Sequence, residues 1–348
     1  MPSRWRRCAR ARREAMLRRG VLAIARLALA TALGWHAGVW AQAAPAELRF
    51  GVLPVGGVVE SRDSWTPLLA DLSRALGRPV TVHSATTYEA LGEAIRRRHV
   101  DLSLLSAQLA LDAVTQRRMV VLAQVERHAG TPDHRAVLLV RKDGPPDPLA
   151  DLLARPERWR LARGDSRSVS GFILPQVQLF LPNRIAMETR FRSEIVGTHQ
   201  TTALAVANGD ADVATNNTTD FERFRAQFPA EAERLQVIWH SEPTPPAQVL
   251  VRSDVPAELQ KKLRAFLVAY GRGRGPRAEA QREVLKSLRA SLGYVAADNK
   301  ALLPAARLQY QLARQSALNA QWVSEAARQA RLQRIETAYQ EQVAALRE

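Results

Sequence analysis

Residues 159–175 read Trp-Arg-Leu-Ala-Arg-Gly-Asp-Ser-Arg-Ser-Val-Ser-Gly-Phe-Ile-Leu-Pro. An apolar strand segment, "WRLARGD", runs into small hydroxyl residues and a glycine, and then into a stretch that starts like a helix. The pattern predicts strand, loop and helix N-terminus, with Ser168, Val169 and Ser170 at the junction. The first N–H groups of a helix have no internal partner and carry partial positive charge, so such a junction binds anions. Ser168 and Ser170 add hydroxyls. Gly171 is expected to let a ligand approach the backbone, and Pro175 removes no needed N–H if it lies in the first turn. A serine capping an ordinary helix has the same local sequence. The G-x-x-x-x-G-K-[ST] run of a nucleotide P-loop is absent.

Working outward, the same grammar repeats. "LRFGVLPV" (48–55) reads as a strand, "SWTPLLADLSRALG" as a helix with Trp65, Leu68, Leu69, Leu72 and Leu76 at helical spacing, and "PVTVHSA" as a strand. "TYEALGEAIRRRHV" is the next helix, and "DLSLLS", "MVVLAQVE" and "RAVLLVRKD" are strands. "DGPPDPLADLL" breaks the pattern with three prolines. A second α/β run follows: "WRLARGD", "TRFRSEIVGT", the helix "HQTTALAVANG", the strand "ADVATNN" and the helix "DFERFRAQF". The alternation implies α/β sheets with right-handed crossovers. The chain then returns in extended form through "LQVIWHSEPTPPAQVLVRSDVP" and adds the helix "AELQKKLRAFLVAYG". We expect two lobes, one over 44–140 and 236–300 and the other over 141–235. Crossover strands near 138–143 and 236–252 would form a hinge that lets the lobes close on a ligand. A helical tail covers 301–348. Its Leu332, Ile335, Tyr339, Val343 and Leu346 form a narrow apolar stripe, for packing along a lobe or for docking a partner.

The net charge of +16 on 348 residues invites a nucleic-acid reading. Half of it sits in residues 1–43, where nine arginines face the single acid Glu14. The remaining 41 basic and 33 acidic residues form no basic stripe. Residues 1–43 have the form of a secretory signal: a basic segment, the apolar run Leu27–Trp40, then Ala41-Gln42-Ala43, with cleavage expected after Ala43. The apolar run is about 14 residues, short of the ~20 that span a membrane. Met16 is an alternative start. The only cysteine, Cys8, lies in the leader, so the secreted chain has no thiol, disulfide or lipid-anchored cysteine. The expected address is the bacterial periplasm.

Several stretches, in order, resemble the phosphonate- and phosphite-binding proteins of bacterial ABC importers. "SVSGFILP" is similar to their S-T-S-G-x-x-x-P signature. "RFGVLPV", "SWTPLLADLSRALGRPVTVHSATTYEAL", "ALAVANGDADVATNNTTDFERF" and "LGYVAADN" resemble further family segments, together spanning most of 48–300. The resemblance implies a two-lobed type II periplasmic binding protein with a hinge, here with a C-terminal helical extension. Its role would be to capture a small phosphorus oxyanion and deliver it to an inner-membrane permease. Carried over by position, Ser168, the Val169 N–H and Ser170 cradle the oxygens, and Tyr88 and His199 match a cleft tyrosine and histidine. His134 stands where the family usually has a tyrosine. Where aminophosphonate binders hold the ligand's ammonium with a glutamate and an aspartate, this chain has Thr219 and Ala247. Asp220, one residue along, is expected to point elsewhere. 2-Aminoethylphosphonate is therefore not the expected ligand; phosphite, methylphosphonate or phosphate is. A dianion would call for a protonated His199 or His134, and affinity would then weaken from pH 6 to pH 8.5.

Three other readings have less behind them. Ser168 or Ser170 with His199 suggests a hydrolase, but there is no G-x-S-x-G elbow and no acid clearly placed to orient the histidine. The seven histidines contain no H-x-x-x-H or H-E-x-x-H pair, so no metal is expected, and no cofactor. The same bilobed module in other settings signals to a membrane kinase, and the tail helix is the candidate contact for such a partner.

Overall fold

The computed structural model describes residues 47–53, 58–127 and 134–348. The leader, its cleavage point, Met16 and Cys8 lie outside the described residues. Two mixed sheets organise the rest. The first has the order β11-β4-β10-β3-β1-β2 and the second β7-β6-β8-β5-β9. In the first sheet β1 (Leu48–Val52) pairs in parallel with β2 (Val80–Ser84) and β3 (Leu102–Leu105). In its other half β10 (Gln248–Arg252) runs antiparallel between β3 and β4 (Met119–Val125), and β11 (Tyr294–Ala296) closes on β4. The second sheet repeats this plan. β6 (Arg160–Arg163) is parallel to β7 (Ser193–Val196) and β8 (Val213–Asn217), while β5 (Arg135–Arg141) is antiparallel between β8 and β9 (Leu235–Pro243). Residues buried on both faces of the central strands explain why these segments read as continuous apolar runs.

The sheets move the expected lobe boundary. By its position "RAVLLVRKD" falls mainly within the expected first lobe, but β5 pairs with β8 and β9 in the second sheet. The chain crosses between sheets after Val125 and before Arg135, and again between Pro243 and Gln248. Apolar periodicity marks a strand as buried but not the sheet in which it is buried. The three prolines at 243–246 mark the second crossing, since proline has no N–H for a central ladder.

One hydrophobic core joins both halves. It includes Leu91, Leu105 and Leu111 from the first, Leu138, Leu161 and Phe172 from the second, and Leu302, Ala305, Ala306 and Leu346 from the C-terminal segment. That segment is a helical hairpin, Leu303–Asn319 and Glu325–Ala345. Ser324 caps the second helix by accepting from the Ala327 N–H. Ile335, Val343 and Leu346 are buried, and Tyr339 stacks on Tyr310 at 4.6 Å between ring centroids. The Asn319 side chain donates to the Leu181 carbonyl at 2.7 Å. The apolar stripe is thus occupied by the chain itself, and the docking reading loses the face it needed.

Leu346, followed only by Arg347 and Glu348 in the sequence, is 1% exposed. We expect Leu346→Ala to lower unfolding stability by about 2–5 kcal/mol in a urea titration, as for other core leucines. A change under about 0.5 kcal/mol, the surface norm, would show that the tail is not part of the core.

Candidate ligand-binding site

A cavity of about 270 Å³ lies between the two sheets. All seven residues singled out in the sequence line it: Tyr88, His134, Ser168, Val169, Ser170, His199 and Thr219. They arrive there by one device. Tyr88 opens the helix Tyr88–Arg96, Ser106 and Ala107 open Ala107–Thr115, His199 opens His199–Ala207, and Thr219 lies in the first turn of Thr218–Gln227. With the turn at Val169, five helical starts face one space, each following the C-terminal end of a strand.

The 168–175 segment departs from the expected α-helix in an informative way. Ser168 is the N-cap, and its Oγ accepts the Gly171 N–H at 3.0 Å. The turns that follow, Val169–Ile173 and Gln176–Phe180, are wide π-turns. Pro175 is therefore beyond the first turn, where its missing N–H does matter. An α-helix would place that N–H on the Gly171 carbonyl. The carbonyl instead accepts the Gly164 N–H at 3.1 Å and the Thr215 hydroxyl at 2.7 Å. This ties the helix start to the ends of β6 and β8. Gly171 also has a different role from the one expected. A Cβ there would lie 2.8 Å from the Gly164 Cα and 2.8 Å from Ser168 Oγ. The glycine permits backbone to pack on backbone, and its N–H is already used by Ser168. The N–H groups left for a ligand are those of Val169 and Ser170, in the first turn where no helical carbonyl reaches them.

Around this cradle the polar groups are held by neighbours. Ser170 Oγ and His199 Nε2 are 3.1 Å apart, a hydrogen bond for which an anion would compete. Asn216 donates to the His199 carbonyl at 2.7 Å and fixes that helix start. Tyr88 is half-buried beside the Ser168 side chain. Burial pushes its hydroxyl up to about 12, so it remains a neutral donor at physiological pH. His134 Nδ1 lies 2.8 Å from Thr219 Oγ.

Several lining residues escaped the sequence reading. Ser106 Oγ and Thr244 Oγ are buried with no hydrogen-bond partner among the described residues. Ser106 had a legible signal, since "DLSLLSAQLAL" repeats the strand–serine–helix pattern of 168–170. Arg127, Arg223 and Arg289 also line the cavity, as do Asn217 and Asp220. Arg223 was findable, four residues beyond Thr219 on the same helix face. Arg127 sits on the crossing after β4, where no local pattern marks it. The expectation that Asp220 points elsewhere is overturned. Thr219 and Asp220 both lie in the first turn of the helix Thr218–Gln227, where consecutive side chains fan round the same opening. Asn217 holds Asp220 in place, accepting its N–H and donating to its carboxylate, at 2.8 and 2.7 Å.

The imidazolium that a bound dianion would call for is not favoured by the protein's own surroundings. Burial holds both His134 and His199 below the ordinary histidine range, His134 at about 4, although Asp220 opposes the shift in each. Arg127 and His199 depress His134 further. The Thr215 carbonyl favours charge on His199, but no hydrogen bond of ordinary geometry closes to its Nδ1. His134 is neutral between pH 6 and pH 8.5, His199 is held below its ordinary value, and the lining's fixed positive charge comes from arginine. The consequence for stability has a definite sign. As pH falls below about 6.5 the unfolded chain takes up protons that folded His134 refuses until about 4. Protein stripped of ligand should therefore lose up to about 3 kcal/mol from this group between those values. His134→Gln should show a visibly shallower loss in urea titrations. An equal loss in the variant would rule out His134 as the source.

The family described as ABC transporter, phosphonate, periplasmic substrate-binding protein matches residues 50–302. The phosphonates-binding periplasmic protein of Escherichia coli K12 is 32% identical over 244 residues, covering 70% of this chain and 72% of that one. The crystal structure of a binding protein component of an ABC phosphonate transporter from Pseudomonas aeruginosa superposes with a TM-score of 0.78 at 29% identity, over 86% of this chain and 96% of that one. A Prochlorococcus marinus protein solved in complex with methylphosphonate shares the fold, with a TM-score of 0.65 at 17% identity over 76% and 98% of the two chains.

Proposed function

The chain belongs to the periplasmic substrate-binding family of phosphonate ABC transporters, and from that premise we propose that it captures a small phosphorus oxyanion between its lobes and hands it to an inner-membrane permease. The observation that carries this is the cradle at 168–170. Two first-turn N–H groups, the hydroxyls of Ser168 and Ser170, the phenol of Tyr88 and the His199 imidazole line one cavity. These are neutral donors around a space bordered by helix N-termini, which suits an anion with several equivalent oxygens. The buried Ser106 hydroxyl, without a partner among the described residues, supplies another donor. A buried polar group left without a partner costs about 1–3 kcal/mol, so a ligand that satisfies it is favoured.

The relatives above are named as binding proteins, and nothing in the cavity calls for chemistry. Ser170 and His199 touch, but Asp220 is engaged by Asn217 rather than by the imidazole. Among the described residues no three His, Cys, Asp or Glu side chains converge as a metal site. Thr219 and Ala247 both line the cavity. Neither offers negative charge, and the one carboxylate in the described lining, Asp220, is engaged by Asn217 and stands among Arg127, Arg223 and Arg289, which disfavours the ammonium of 2-aminoethylphosphonate.

Calorimetric titration of protein stripped of ligand, against phosphite, phosphate, methylphosphonate, 2-aminoethylphosphonate and sulfate, tests the reading. We expect micromolar or tighter binding of a phosphorus anion. Ser168→Ala and Ser170→Ala should each weaken it about 10- to 100-fold, the worth of a hydrogen bond to a charged group. No binding of any phosphorus anion would overturn the proposal.

A further inference from the structure

The part of the cavity away from the cradle has the wrong charge for an ammonium and the right one for a second anion. Thr219 and Ala247 leave it without the two carboxylates that the family resemblance places there. Among the described residues, the charged side chains of the lining are Arg127, Arg223 and Arg289 against Asp220. Asp220 is held by the Asn217 amide at 2.7 Å. Arg223 stands one turn beyond Thr219, on the same face of the helix Thr218–Gln227, and is half-buried. Arg127 follows β4 at the crossing between sheets, close enough for its charge to act on His134, which in turn bonds Thr219. Arg127 and Arg223 also engage other groups of the chain. What they bring to the cavity is field and additional N–H donors, since a guanidinium carries five.

Space points the same way. The cavity measures about 270 Å³. A tetrahedral oxyanion has four or five heavy atoms. At about the size of a water each, roughly 30 Å³ at most, they fill only about half of it. Thr219, Ala247 and the arginines line the same cavity.

We propose that the favoured cargo is a phosphonate whose substituent ends in a carboxylate. Its phosphonate oxygens lie on Val169, Ser168 and Ser170, and its carboxylate lies among Thr219, Arg127 and Arg223. This rests on the phosphorus-anion reading above and narrows it to a substrate class. Arginine is well suited to the task, because its planar fork matches a carboxylate and it stays charged at all working pH values. Arg127 and Arg289 are exposed and contribute mainly through their field, which salt screens; Arg223 is the more protected partner.

The test compares methylphosphonate, 2-aminoethylphosphonate and 2-carboxyethylphosphonate by calorimetry on the purified protein. The last two have the same two-carbon spacer and opposite terminal charge. We expect the carboxylate ligand to bind about tenfold or more tighter than the amine, as two or three partly screened charge pairs would give. Arg223→Gln should shrink that ratio. The double variant Thr219→Glu/Ala247→Asp should reverse it, which a merely unfolded protein could not do. Binding of methylphosphonate with equal or tighter binding of the amine would overturn the carboxylate inference alone. Failure of all three ligands to bind would overturn the phosphorus-anion reading together with it.

Discussion

The N–H groups at the start of a helix have nowhere to go within the helix, and this molecule collects them. In each sheet the parallel strands end on the side facing the other sheet, and the helices that follow begin there. Starts after β2, β3, β6, β7 and β8 border the same cavity. Each brings unsatisfied donors and a partial positive charge. Stacking several such ends against one another would be unfavourable if nothing negative came between them. The two-sheet architecture therefore offers a ligand several donors at once, and the side chains at each start tune what can bind.

The cradle is held by a chain of constraints that begins with a missing hydrogen bond. Pro175 cannot donate to the Gly171 carbonyl, the turn widens, and the released carbonyl takes donors from Gly164 and Thr215. The close approach of Gly171 to Gly164 excludes any side chain at either position. The two hydroxyls on either side of Val169 are thereby set by backbone contacts that extend to two strands. That is the rigidity a site needs if its donors are to lie at fixed separations matched to the oxygens of one ion.

Much of this was legible in the sequence because it is local. Strand–hydroxyl–helix junctions, apolar periodicity and the tail's 3–4 spacing all report on neighbours in the chain, and the elements lie where those patterns put them. What failed was non-local or depended on the third dimension. "RAVLLVRKD" reads as a buried strand in either sheet, and only pairing with β8 and β9 places it in the second. Gly171 and Pro175 were given ligand-facing and neutral roles, whereas both act on Gly164 and Thr215, across a turn and between strands. Burial, which works against charge on His134 and His199, is likewise a non-local property. Arg127 lies on a crossing segment with no periodicity to read, and the one-residue offset from Thr219 does not take Asp220 out of the cavity because both stand in the first turn of a helix.

The central claim is that the backbone at 169–170, and not only its side chains, receives the anion. Amide chemical shifts of isotopically labelled protein, followed as methylphosphonate is added, test it most directly. The Val169 and Ser170 amide protons should move strongly downfield as they become donors to the anion. Those of Phe172 and Ile173, which already donate to the Ser168 carbonyl, should move far less. Unchanged Val169 and Ser170 amides at saturating ligand would contradict the account.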